Sequence, residues 1–111
     1  MNRAQQNNNP SNLRFAGQRE ASGPDDKGFA VFPTAPAGWR ALHAQIKRDQ
    51  ERGETLAQFI GKYAPPKENN TSQYLEFVCD QLHISPGTAL ASVSAYALAG
   101  VMAAEEGYYA A

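Results

Sequence analysis

The chain has 111 residues, 42% of them hydrophobic, with ten Lys plus Arg against eleven Asp plus Glu. That length and apolar content suffice for one core and one domain. The near-neutral balance leaves no basic excess for a nucleic acid and no acidic run of the kind found in solvating tails. One cysteine, Cys79, excludes an internal disulfide, and no Cys/His cluster has zinc-ligand spacing, so no metal or other cofactor is implied. Cys79 reads as a small apolar residue on a helix.

In chain order, residues 1–12 read as an irregular polar lead-in, rich in Asn and Gln and without the apolar core of a secretory signal peptide. A single domain is expected over 13–111. Leu13–Ala16 and Phe29–Phe32 alternate like short strands, and the turn-rich stretch between them, with Gly23-Pro24-Asp25-Asp26 at its centre, predicts a β-hairpin with a long loop. Trp39, Leu42, His43 and Ile46 recur at helical spacing, so a helix is expected over 37–52, ended by Gly53. A second helix over 55–63 carries Leu56, Phe59 and Ile60 and stops before Pro65-Pro66. A third, over 72–82, takes Thr71 or Ser72 as its N-cap and buries Tyr74, Phe77 and Val78. Ser85-Pro86 has the form of a helix start, which predicts a fourth helix over 87–106 with Gly107 as terminator. Its stretch from Ala89 to Ala104 falls short of the ~20 strongly apolar residues that a membrane span needs. The fold class is therefore α+β and mostly α: four main helices and one N-terminal hairpin, with Trp39, Leu42, Phe59, Tyr74, Phe77 and Val78 in the core.

Three segments carry more polar chemistry than packing requires. In the first, Asn7 to Arg14, the Asn and Ser side chains either bond their own backbone as turn residues or line a groove, with Asn9, Asn12 and Arg14 as ligand-binding candidates. In the second, Tyr63 to Thr71, the prolines and Thr71 are explained by a helix connection. Tyr63, Glu68 and Asn70 are not, and are candidates for the same groove, with Tyr74 of the third helix as a further one. The third is the end of the last helix. Glu105 lies four residues after Val101 and seven after Leu98, on an apolar stripe. A carboxylate there is either solvated at a frayed end, paired, or held in a partly apolar pocket that raises its pKa and suits it to general acid catalysis. Glu106 is expected to point elsewhere, into solvent.

The segments Asn7–Arg14, Gly28–Leu42 and Tyr63–Tyr74 resemble a family of small phage and prophage proteins described as virion structural or lysozyme-like. Those carry an N-N-N-P-G-N-I-R opening, an F-x-x-F…G-x-R-A centre and an A-P-P-x-E-N-D-T-x-x-Y motif. Here Ser11 stands for the usual Gly and Asn70 for the usual Asp. The order of elements is also similar to that of lytic transglycosylases and glucosaminidases, in which a helix ending in an E-[ST]-G-like motif precedes a β-hairpin. With the hairpin first and the Glu-bearing helix last, the chain looks like a circular permutation of that lysozyme-like fold.

The resemblance implies that Glu105 is the catalytic acid, Gly107 the motif glycine, and Glu106 a replacement for the usual Ser or Thr. It implies peptidoglycan glycan strands as the substrate, other virion proteins as partners, and glycosidic cleavage of the transglycosylase or muramidase type. The alternative is a non-catalytic capsid or tail protein that retains the fold. The location implied is the virion, or the host cytoplasm or periplasm during infection, with delivery by a phage particle or a holin. Cleavage needs a proton donor at the leaving oxygen. A hydrolase needs a second acid, for which Glu20, Asp25 and Asp26 are the candidates, whereas a transglycosylase manages with one.

Overall fold

The computed structural model describes residues 1–64 and 70–111. The described residues form five α-helices and a two-stranded antiparallel hairpin, an α+β and mostly helical fold.

The N-terminal stretch is folded, contrary to the irregular lead-in expected at 1–12. Arg3–Gln6 forms a short helix, α1, closed by an Asn2/Gln5 capping box. Asn2 Oδ1 accepts from the Gln5 N–H at 3.0 Å, and Gln5 Oε1 accepts from the Asn2 N–H at 3.0 Å. The asparagines that follow have separate backbone duties. Asn8 and Asn12 sit at φ +50° and +54°, a left-handed conformation that Asn tolerates better than most residues. Asn9 is fully buried, and its side chain acts as an extra peptide group. Its Oδ1 accepts from the Leu13 N–H, and its Nδ2 donates to the carbonyls of Leu13 and Ala30, all between 2.9 and 3.0 Å.

The hairpin differs in register from the one expected. Gly23–Pro24 (β1), inside what reads from sequence as loop, pairs with Ala30–Val31 (β2), within the expected second strand. The expected partners, 13–16 and 29–32, do lie side by side, through Ala30 N–H to Leu13 O and Phe15 N–H to Gly28 O, both 2.9 Å. Only an isolated bridge, Arg14 to Phe29, survives as ladder. A side chain is the reason. The Asn9 amide accepts from the Leu13 N–H and donates to the Ala30 carbonyl, taking the two backbone groups that would complete the ladder at that pair. Asp25 holds the tight turn by accepting from the Lys27 and Phe29 N–H groups at 2.9 Å each.

Helix α2, Ala35–Glu51, begins at a Thr34 N-cap with Pro36 in its first turn, and Gly53 follows it at φ +73°. Helix α3, Leu56–Tyr63, starts from a Thr55/Gln58 capping box. Helix α4, Thr71–Leu82, is capped by Asn70, whose side chain accepts from the Gln73 N–H at 3.0 Å. The cap is therefore one residue earlier than Thr71.

The last helix departs most from expectation. Residues 87–94 do not continue from Ser85-Pro86 as helix. The carbonyls of Pro86 and Thr88 instead accept the Ala57 and Leu56 N–H groups at 2.9 Å, satisfying donors that the first turn of α3 leaves open. A 3₁₀ turn at Leu90–Ser92 follows, and α5 runs only over Ala95–Glu105 from a Ser94 cap.

Leu42, Ile46, Leu56, Phe59, Ile60, Val78, Leu90, Leu98 and Met102 are fully buried in one core, with Tyr74 at its edge. Trp39 and Phe77 are only half-buried. Trp39 sits near the start of α2 against Tyr108, and Phe77 flanks the narrower Tyr74–Val78 stripe of α4. No helix among the described residues is long and apolar enough to cross a membrane.

The two ends of the chain meet. Asn2 Nδ2 donates to the Gly107 carbonyl at 2.7 Å, and Gln5 Nε2 to the carbonyls of Tyr108 and Ala110 at 3.1 and 2.7 Å. The end of α5 is thereby held against the N-terminal segment.

Asn9→Ala leaves the Leu13 N–H and two carbonyls without their buried partner, and is expected to lower stability by about 3 kcal/mol or more. Gly38→Ala is expected to be comparably damaging, because a Cβ there would overlap the Asn8 carbonyl. Gly100→Ala meets open space within α5 and should add about 0.5–1 kcal/mol. Urea unfolding midpoints check all three.

Candidate functional site

A cleft of about 500 Å³ opens where the N-terminal loop, α3 and the end of α5 converge. Ser11, Asn12 and Arg14 line it from the loop, Lys62 and Tyr63 from α3, and Glu106 from the C-cap of α5. Asn12 Nδ2 donates to Glu106 Oε1 at 2.9 Å, so the loop does lie against the end of the last helix. The Tyr63 hydroxyl donates to the Ser11 carbonyl.

The acid in this cleft is Glu106. Glu105 is exposed and is not part of the cleft wall, which reverses the assignment expected from the Leu98–Val101–Glu105 spacing. The buried stripe of α5 is Leu98, Ala99, Met102 and Ala103, and continuing it by one turn from Met102 reaches Glu106. Burial raises the Glu106 pKa above its ordinary 4.5, against the opposing pull of Asn12 and Tyr74, which favour the charged form. Partial burial also moves Glu105 upward, but its side chain faces solvent.

Around Glu106 lie polar atoms without partners. Ser11 Oγ, Asn12 Oδ1 and Tyr74 Oη are buried and form no hydrogen bond of good geometry among the described residues. Such groups carry a desolvation cost that a bound hydroxyl or water would relieve. Burial, together with the Glu106 charge nearby, holds the Tyr63 and Tyr74 phenols far above their ordinary pKa, so both stay protonated. Tyr63 stacks on Phe59 and meets Tyr74 edge-on, with centroids 5.8 and 6.1 Å apart.

The cleft also reaches a buried ionic knot. Asp49, 1% exposed at its side chain, accepts from Lys62 Nζ at 2.7 Å and from Arg52 and Gln45 at 2.9 Å. Burial opposes its ionisation, yet Lys62 and Gln45 bring its pKa below the ordinary value. Lys62 also pairs with Glu54 at 2.7 Å. With its oxygens so engaged, Asp49 ties α2 to α3 and is not free to act as a nucleophile.

The other expected site residues separate. Asn12, Arg14, Tyr63 and Tyr74 are at or beside the cleft. Arg14 lies over the Phe29 ring, 4.3 Å from its centroid, and donates to the Lys27 carbonyl at 2.9 Å. Asn9 is a buried backbone bridge and Asn70 an exposed helix cap, so neither lines the cleft. Glu68 lies outside the described residues. Of the candidate second acids, Asp25 is anchored in its turn, where bonds from Asn7, Phe29 and Lys27 overcome burial and lower its pKa to about 2. Glu20 is clamped by Arg40 at 2.6 and 2.7 Å. Neither lines the cleft, and Asp26 does not either. Among the described residues no three His, Cys, Asp or Glu side chains converge as a metal-ligand set. Ser11, Lys62 and Glu106 were absent from the expected site. The helical stripe through Met102 is the signal that locates Glu106.

No protein-family model matches the chain, and a search of curated proteins finds no match.

A carboxyl whose folded pKa is raised stabilises most when both folded and unfolded forms are protonated, below about 4.5, and loses that contribution as pH rises through the folded value. Glu106→Gln is therefore expected to be more stable than the parent at pH 7, with the gap closing by pH 3.5. Denaturation midpoints at the two pH values measure this, and Glu105→Gln should show a much smaller gap.

Proposed function

We propose that this chain is a lysozyme-like protein that acts on peptidoglycan glycan strands, with Glu106 as the general acid. The observation that carries the reading is the Glu106 carboxyl, raised in pKa by burial and set in a cleft beside buried, unsatisfied hydroxyl and amide groups. A carboxylic acid that keeps its proton to higher pH than an exposed one suits protonation of a leaving glycosidic oxygen. Unsatisfied Ser11, Asn12 and Tyr74 atoms suit a polyhydroxylated ligand. The meeting of the chain ends supports the permuted order of elements, and the motifs in 7–14, 28–42 and 63–74 support an association with phage particles.

With one available acid in the cleft among the described residues, the mechanism that fits is of transglycosylase type. Glu106 gives its proton to the bridging oxygen as the bond from that oxygen to the anomeric carbon breaks. A hydroxyl of the same sugar attacks the anomeric carbon, and its proton returns to the Glu106 carboxylate. The acid is regenerated and no second carboxylate is used. Asn12 orients the Glu106 carboxyl through its 2.9 Å bond, and the buried Tyr74 phenol beside it favours the charged form left after proton transfer.

The same Asn12–Glu106 bond favours a second reading. It helps fasten the N-terminal loop to α5, so the glutamate would be kept for closure in a virion structural protein without turnover. A turbidity assay on purified peptidoglycan separates the two. The enzyme reading expects clearing by the parent protein, a loss of about 10²–10⁴-fold in Glu106→Gln, and near-parental activity in Glu105→Gln. Equal loss in both variants would assign the effect to charge or stability, and an inactive parent would favour the structural reading.

A further inference from the structure

A second surface, outside the cleft, is built almost wholly of rings. Trp39 and His43 stand one turn apart on α2, with centroids 6.5 Å apart. Tyr96, in the first turn of α5, meets His43 edge-on at 4.6 Å. Tyr108 and Tyr109, beyond the end of α5, meet Trp39 at 5.6 and 6.4 Å, and Tyr109 lies within 31° of parallel to it. The result is one unbroken run from Tyr96 through His43 and Trp39 to Tyr109. The two ends of the run are its most open members, Tyr96 at 81% and Tyr109 at 63% exposure. None of the five lines the cleft.

We propose that this run is a stacking platform for a glycan strand, a binding site separate from the Glu106 cleft. The ring faces carry negative potential and meet the weakly positive C–H faces of pyranose rings. Each ring also ends in a polar group: an indole N–H, an imidazole and three phenols. None of these forms a hydrogen bond among the described residues, which leaves them open to sugar hydroxyls. Apolar faces bordered by free donors and acceptors match a ligand with C–H faces and hydroxyl edges. The platform is also small for a protein partner. With ~200 Å² per aromatic side chain, its open area is on the order of 500 Å², short of the ~800 Å² per partner of a standard protein interface. A sugar chain needs only a narrow track of successive rings. The platform depends on its own chemistry and not on Glu106 being catalytic.

Trp39 is the only tryptophan, so its fluorescence reports on this surface directly. The probe is the soluble β-1,4-linked tetramer of N-acetylglucosamine, titrated into the full chain and into Glu106→Gln, where no cleavage can deplete it. A saturable change in Trp39 emission, alike in both proteins, is expected. Tyr96→Ala and Tyr109→Ala alter exposed side chains and should leave the fold intact, as circular dichroism would show. Each should weaken binding by roughly two- to tenfold. An absent Trp39 response, or one unchanged in both tyrosine variants, overturns the proposal. So does a response that depends on protein concentration and not on the sugar, which would assign the surface to a second copy of the chain. Because cleavage is read by turbidity and platform binding by Trp39, either proposal can fail while the other holds.

Discussion

The fold turns on the buried side chain of Asn9. Its amide replaces a missing peptide group between the N-terminal loop, residue 13 and β2, making three bonds with no solvent exposure. In a region with only two-residue strands, these buried bonds act with those linking Asn7 and Asn8 to Phe32 and Asp25 to set the loop over the sheet. Once Asn9 is seated, Ser11 and Asn12 are carried to the cleft, and the left-handed turn at Asn12 aims its side chain at Glu106. The loop thus has one residue that fixes position and two that face the cleft, and all three bonds of the first are shielded from water, where unpaired polar groups are most costly.

The cleft itself shows a conflict of forces. Burial favours a protonated Glu106, while Asn12 and Tyr74 favour its charged form. A group balanced in this way changes its proton affinity readily when a ligand displaces water or occupies one of its partners. The nearby knot of Asp49, Lys62, Arg52 and Glu54 behaves differently. Its charges are paired with one another, though Glu54 Oε1 has no partner among the described residues, and losing Lys62 would leave the buried Asp49 less compensated. It braces α2 against α3 along the wall of the cleft that the adaptable acid also lines.

The helical skeleton was legible from sequence wherever a cap and a periodic stripe agreed. The apolar spacing from Trp39 and from Leu56 located α2 to within two residues and α3 to within one, and the core positions Leu42, Phe59, Tyr74 and Val78 followed from the same spacing. The misreadings have physical causes. Ser85-Pro86 has the local form of a helix start, but its neighbouring carbonyls are committed to the first turn of α3, a tertiary demand that no local pattern encodes. The hairpin shifted because Asn9, a side chain, took the backbone groups of Leu13 and Ala30 that the expected ladder would pair. In α5 the residues are apolar on nearly every side, so the choice between Val101 and Met102 as the guide to the buried face was open. That choice decides between Glu105 and Glu106. The asparagines were recognised as unusual, but sequence could not separate those that hold backbone from the one that faces the cleft.

The clasp between the chain ends also shapes local motion. The amides of 5–9 and those of 106–110 belong to segments joined by Asn2, Gln5 and Asn12 across nearly the whole sequence. Ends of chains ordinarily fray independently, but here neither can peel away without releasing the other. The two segments are therefore expected to open as one unit, with their backbone protons exchanging with solvent together. Because that unit also carries Asn12 and Glu106, each such opening takes the cleft apart, and the free energy of the clasp sets the fraction of molecules with an intact cleft at any instant.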